Sequence, residues 1–516
     1  MAWAVGIGLL VRREYFKSPA LRLSEATLRV GPGAEFYAVS MGAGPIGYAS
    51  STVDTTPDGI SVQDLLVLDI EALGKVQRTQ LSTDIRLTRD LRLKSFEGYL
   101  DVPGSPFHAS GTVSGDSILS VTIEAGAQPS TTRVPLTRPV VLTTLLPLQL
   151  AFGHQLAPGK SYGVRVLDPL TMEEREIEVR IVAESTLVVP DSAAWDSAAG
   201  HWVPARQDTL RAWKVAEEYG GIATESWIDR QGRIVSAVSP IGFRMQRMAF
   251  ELAVENWRKA TGGAAHRAAG GTGAGGGTGG TDIIDATAIT ANVALKPEDL
   301  SVLRVRIGNT RLEGFDLSGG RQQLSGDTLT IRRETGVAAT AGGIAGMTLD
   351  RLPTDDSLAA ALASEPLVQA NDPRIQAEAR RIVGRERRAG AVAELLTHWV
   401  YANLKKEITI SVPSAVQVLE ERRGDCNEHT VLYVALARAL GLPARTAAGL
   451  VYLRGHFYYH AWPEVWLGRW VAVDPTFDQF PADASHLRFV IGGLARQVEL
   501  LRLIGRVTVT VVGTTS

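Results

Sequence analysis

From about Leu23 to Val238, apolar and polar residues alternate in short runs interrupted by Gly, Pro and Asp, a period of two that points to antiparallel strands. Phe36 to Ser40, Ile46 to Val53 and Ile60 to Leu68 are such runs, with Pro45 and the triplet Pro57-Asp58-Gly59 expected to supply turns. Tyr162 to Leu167, Glu176 to Glu184 and Trp227 to Val235 repeat the pattern, the last with a turn at Gln231-Gly232. The segment therefore predicts one large, curved antiparallel sheet. Apolar residues make up 45% of the 516 and charged residues 21%, so burial can fold most of the length, and the chain is too long for one ordinary core.

Beyond the sheet the periodicity changes. Arg244 to Lys259 is expected to be helical, and Thr261 to Thr281 is almost wholly Gly, Ala and Thr, a flexible linker or loop insertion. A phosphate cradle there is excluded by the lack of a Lys-Ser/Thr pair and of a strand-to-helix context. Ile283 to Arg333 returns to strand-like alternation, broken at Gly319-Gly320 and Gly326-Asp327. From Asp372 to Leu404 the spacing is helical, with Ile375, Ala379, Ile382 and Val383 on one stripe and Val392, Leu395, Leu396 and Val400 on another. A short helix over Ala415 to Arg422 leads to the cysteine. The expected divisions are an apolar N-terminal segment (1–20), an antiparallel sheet domain (21–258), a Gly-rich linker or loop (259–281), a small β segment (282–350), a domain at 351–505, and a strand or tail at 506–516.

The formal charge of −2 and a pI near 6.5 supply no broad basic field, so no nucleic-acid partner is expected. A single cysteine rules out an internal disulfide and a Cys-rich zinc site; no metal and no cofactor are expected. Residues 1–11 are apolar and followed by Arg12 and Arg13, about half of the ~20 residues a bilayer span needs. That stretch reads as the remnant of an export or anchor segment attaching the protein to a membrane, as a capping strand, or as a frayed end.

Around Cys426 the reading becomes chemical. Asp425 is a good N-cap, Glu428 completes a capping box, and the helix that follows runs to about Leu440 before Gly441 and Pro443. This places Cys426 in the first helical turn, where unpaired N–H groups and the macrodipole are expected to favour thiolate and to hold a developing oxyanion. Thr446 to Leu453 and Phe457 to Trp466 read as strands, and Trp470 to Val473 as a third ending in Asp474-Pro475-Thr476. If Leu467, Gly468 and Arg469 form a three-residue hairpin loop, Trp462 lies opposite Asp474 and His460 becomes its diagonal neighbour on one face. Taken singly, Cys426 also reads as a buried filler, His460 as a core histidine and Asp474 as a turn-initiating Asp-Pro.

Together these residues resemble the transglutaminase-like superfamily, whose papain-like members include transglutaminases, peptide N-glycanases and bacterial cysteine proteases. The resemblance rests on Arg423-Gly-Asp-Cys-Asn-Glu-His with its Leu-rich helix, Gly441-Leu-Pro-Ala-Arg445, Tyr459-His-Ala-Trp462 and Trp470-Val-Ala-Val-Asp-Pro-Thr476, over about Asp372 to Gly493. It implies an α+β fold, a papain-like transglutaminase core of helices packed on an antiparallel sheet, preceded by the large β-rich region. It also implies Cys426 as nucleophile, His460 as base and then acid, and Asp474 as orienting carboxylate. Asn427 and Trp462 are candidates for lining the oxyanion or substrate site; Trp399 is a third, which reads more readily as plain core. His429 and Asp478 are minor alternatives for the base and the carboxylate. Pro463 should mark an edge or a bulge in the histidine strand.

The implied function is acyl transfer from amides, as a protease or amidase if water accepts and as a transglutaminase if an amine does. The alternative is a catalytically inert binding or scaffold protein. The implied partner is a peptide or protein substrate, of the cell envelope if the N-terminus anchors. The N-terminal sheet resembles the curved sheets beside such domains in bacterial envelope proteins, which implies a cell-envelope or periplasmic location, with the cytoplasm as the alternative.

Overall fold

The computed structural model describes residue 23 and residues 27–516, apart from 43, 57, 73–74, 103–105, 116, 126–128, 137–139, 169–172, 220–221, 240–241, 260–286, 336–346, 353–355, 408–411, 498 and 501–502. The alternating runs form a single 15-stranded sheet. It starts in the middle, at Gly33–Met41, meanders outward to Ser130–Pro135, and resumes at the opposite edge with Val141–Leu142. From there a second meander returns to the centre, where Phe243–Met248 pairs with Gly33–Met41. All neighbours are antiparallel except Val141–Leu142 against Ser161–Asp168. The helix Leu146–Gly153 buries Leu146, Leu148 and Leu150 against the sheet. A cavity of about 280 Å³, lined in part by Tyr37, Val53, Val62, Leu66 and Leu148, lies beneath it.

Three local expectations are corrected. Pro45 sits inside the strand Gly44–Thr56, opposite Ser40, so the chain reverses at Gly42 and not at the proline. Arg244 to Lys259 is not one helix: Phe243–Met248 is a strand, and helical turns begin only at Glu251. Its alternating Phe243 and Met245 pack against the Tyr37 and Val39 cluster, so burial overrides local helical spacing. Leu395, expected on an apolar stripe, is 40% exposed. The Gly-rich stretch expected as a linker and the N-terminal apolar segment lie outside the described residues. Among the described residues no helix is long and apolar enough to cross a membrane.

The C-terminal part is built around the helix Cys426–Ala439, whose Leu432, Tyr433, Val434 and Leu436 are fully enclosed. Helices Pro373–Val383, Ala389–Asn403 and Ala415–Glu421 surround it in one core that also takes in Val465, Val471 and Val473 from the sheet. Each such aliphatic side chain, fully buried, is worth roughly 1.5–3 kcal/mol against leaving it in water. The sheet runs Ile289–Thr290, His456–Trp466, Ala444–Leu453, His486–Ile491, with Trp470–Ala472 also on His456–Trp466. Ile289–Thr290 covers that strand only at Phe457 and His456, and Trp470–Ala472 only at Glu464 to Trp466. Between them one edge of the histidine strand is open, and Pro463 lies at its margin, as its missing N–H requires. A four-stranded sheet packs behind, where Leu303, Val305, Leu329 and Ile331 meet Leu450, Phe457, Leu487 and Phe489.

Candidate active site

The cysteine helix starts where it does because Asp425 caps it. The Asp425 carboxylate accepts from the N–H groups of Asn427 and Glu428, and the Glu428 side chain accepts from the Asp425 N–H at 2.9 Å. Gly424 has φ +151°, and a Cβ there would stand 2.2 Å from the Glu428 Cβ, so glycine is what lets the box close. The cap uses the amides of Asn427 and Glu428; the N–H of Cys426 has no hydrogen-bond partner among the described residues. Val473 N–H donates to Pro463 O, and groups two residues apart on a strand point the same way, so the Ala461 N–H projects from the open edge. The Cys426 sulfur accepts from it.

The expectation of a ready thiolate is corrected. The residue keeps partial exposure, but its sulfur is closely surrounded, and burial pushes the thiol well above its ordinary range, with Asp425, Glu428 and Asp474 adding to the rise. The Ala461 N–H acts the other way without outweighing them. Two carboxylates in and beside the first turn thus offset what the helix terminus offers an anion.

Strand register does the rest. Glu464 pairs with Ala472, Val465 with Val471 and Trp466 with Trp470, so Leu467, Gly468 and Arg469 make the hairpin loop and Asp474 falls opposite Trp462. The diagonal contact follows: His460 Nε2 lies 2.8 Å from Asp474 Oδ2, with both residues buried. Oδ1 of the same carboxylate accepts from the N–H groups of Thr476 at 2.7 Å and Phe477 at 3.2 Å. Trp462 stacks with the His460 ring at a centroid distance of 6.0 Å and Phe477 at 5.0 Å. The structure thus joins His460 to Asp474 directly and brings the Cys426 sulfur to the adjacent residue, Ala461. No hydrogen bond links that sulfur to the His460 ring among the described residues.

Residues 376–475 match the family model of the Transglutaminase-like superfamily. The C-terminal part of the chain carries a transglutaminase-like domain. No curated relative matches the chain. Among solved structures, the chain is similar to a protein named a putative cysteine protease from Cytophaga hutchinsonii, at 16% identity and TM-score 0.27, covering 42% of this chain and 86% of that one. It is similar also to a beta-barrel-like protein of Brucella abortus from a domain family of unknown function, at 12% identity and TM-score 0.30, covering 42% and 95%. A third, from Pseudomonas aeruginosa, stands at 12% identity and TM-score 0.22, covering 37% and 88%. Superpositions this loose say nothing about activity.

The transglutaminase-like domain holds one residue that sequence reasoning missed. His486 Nε2 lies 2.9 Å from Asp474 Oδ2, the oxygen that His460 also uses, and its Nδ1 lies 3.1 Å from Asp483 Oδ1. A signal was present: Leu487 and Phe489 alternate with His486 and Arg488, which sets the polar pair on the sheet's other face. His460, Asp474 and His486 are also the group of described residues whose spacing could suit a metal ion. Their facing atoms are, however, already paired at 2.8 and 2.9 Å, so hydrogen bonding accounts for the cluster.

The remaining candidates have other work. Trp399 packs against the helical core with the Arg422 and Arg381 guanidiniums over its ring. His429 Nδ1 donates to Asp425 O at 2.6 Å, and burial lowers its proton affinity. Asp478 is bound to His398 on the helix Ala389–Asn403. Asn427 Oδ1 and Trp462 Nε1 are buried without a hydrogen-bond partner, which leaves each a polar atom to spare.

Proposed function

We propose that the domain catalyses thiol acyl transfer on an amide carbonyl of a peptide or protein, with Cys426 as nucleophile, His460 as general base and then acid, and Asp474 as orienting carboxylate. The observation that carries this is the His460–Asp474 bond. Neighbouring groups hold Asp474 well below the ordinary carboxylate range, so it only accepts, and the His460 proton sits on Nε2. Nδ1 is then left as the basic nitrogen. Because the resting thiol is neutral, deprotonation accompanies attack: Nδ1 takes the sulfur's proton as Sγ bonds to the carbonyl carbon, and the oxyanion takes the free N–H of Cys426. As the C–N bond breaks, the same proton goes to the leaving amine, and a thioester remains. Water, activated by His460, then releases the acid; hydrolysis is the outcome we favour over transfer to an amine.

The test is incubation of the purified protein with a peptide and amine panel, read by mass spectrometry, beside Cys426→Ala and Asp474→Asn. Product from wild type and none from Cys426→Ala is expected, with kcat/KM down about 10⁴-fold in Asp474→Asn. Equal product from the alanine variant would overturn the mechanism.

A further inference from the structure

We propose that His486 is a fixed imidazolium that positions Asp474 and moderates its pull on His460, dividing the two histidines into one permanent cation and one working base. This rests on the mechanism above, yet the charge state of His486 can be tested without it. Both residues of the new pair, Asp483 and His486, lie beyond the stretch that matches the family.

Asp483 Oδ1 accepts from the Ser485 N–H at 2.8 Å and the Ser485 hydroxyl at 2.6 Å, and Oδ2 accepts from Gln479 Nε2 at 2.8 Å, which marks an ionised carboxylate. Asp474 likewise takes two backbone N–H groups and two imidazoles. Each ring nitrogen of His486 therefore faces an acceptor-only oxygen, and both must carry a proton. Burial opposes the charge, and the two carboxylates outweigh it, holding the imidazole at about 9. His460 has one such partner, so it keeps a free lone pair.

The groups facing His486 come from every packed element. His460 stands at a centroid distance of 5.8 Å and Trp462 at 5.1 Å on the histidine strand, and Phe477 at 6.5 Å on the following loop. Arg321 donates to the carbonyls of Ala482, Asp483 and His486, and Glu334 neutralises it. With Arg321 paired to Glu334, the charges that bear on the shared Asp474 oxygen are the His486 cation in contact with it and Asp483 behind that cation. A bare Asp474 would raise the Cys426 thiol further, since its charge already adds to that rise.

Two measurements test this. Histidine side-chain ¹⁵N spectra of the wild-type protein should show both His486 nitrogens protonated at pH 7.5; one unprotonated nitrogen overturns the proposal. Iodoacetamide inactivation of Cys426 across pH is then compared for wild type, His486→Gln and Asp483→Asn. Removal of the cation should move the midpoint upward by about one pH unit, a tenfold change in proton affinity. A drop in rate with the midpoint unmoved would mean a merely structural histidine and would also overturn the proposal. His460→Gln is the separate control: if it leaves the alkylation profile unchanged, the general-base mechanism fails whatever His486 does.

Discussion

At the scale of single residues, the site is a chain of alternating charges taken out of water, Asp483, His486 and Asp474, that ends on the His460 ring. The sign of its effect on stability follows from the shifts. His486 is held at about 9 against an ordinary value near 6.5, so its contribution is complete below about pH 6.5 and is lost as pH rises through about 9. Asp474 and Asp483 are depressed, so theirs is present above the ordinary carboxylate range and is lost only in strong acid. The gap in melting stability between wild type and His486→Gln should therefore be wide at pH 6 and narrow by pH 10, a difference on the order of 3 kcal/mol. A gap that widens with pH would contradict the charge assignment.

Between elements, the decisive fit is the close approach of three strands around Gly449. It pairs with His460 on one side and with Arg488 on the other, at a register irregularity. A Cβ at Gly449 would lie 2.0 Å from the Leu487 carbonyl oxygen, so Gly449→Ala must drive the His486 strand away from its neighbour. We expect a loss of about 1–3 kcal/mol with a larger fall in activity, because His486 and Arg488 leave their partners together. Arg488 makes the coupling firm: its Nη1 donates to Glu464 at 2.8 Å, and Arg445 holds the same carboxylate at 2.6 Å. An alanine variant with native stability and full activity would show that the strands have slack.

Across the whole molecule, distant parts of the sequence complete the domain. Thr508–Thr515 pairs with Val302–Gly308, and its Val509 and Val511, with Val507 before it, enter the core behind the histidine strand. Deleting residues 507–516 exposes those partners, and several kcal/mol should be lost in a thermal melt, with Cys426 becoming freely reactive to iodoacetamide. Unchanged melting would show that the small sheet is dispensable. The 15-stranded sheet touches the domain as well, where Ser414 Oγ, at the cap of the helix before the cysteine, donates to Ala125 O.

Much of this was legible from local pattern. Period-two alternation announces the large sheet and the Asp425 and Glu428 box starts the cysteine helix, while His460 falls beside Asp474 only with a three-residue loop after Trp466, a length the strand register decides. Such features depend on neighbours within a few residues, and geometry of that range is carried by residue type and spacing alone. What depended on the tertiary structure were quantities summed over distant groups. The upward push on the Cys426 thiol reflects enclosure and nearby carboxylates, the strand at Phe243–Met248 reflects a partner some 200 residues earlier, and His486 meets both Asp474 and Asp483 because the one connection between Trp470–Ala472 and His486–Ile491 folds back over the ring. Burial and Coulomb interaction act through space, and chain order does not encode which charges meet there.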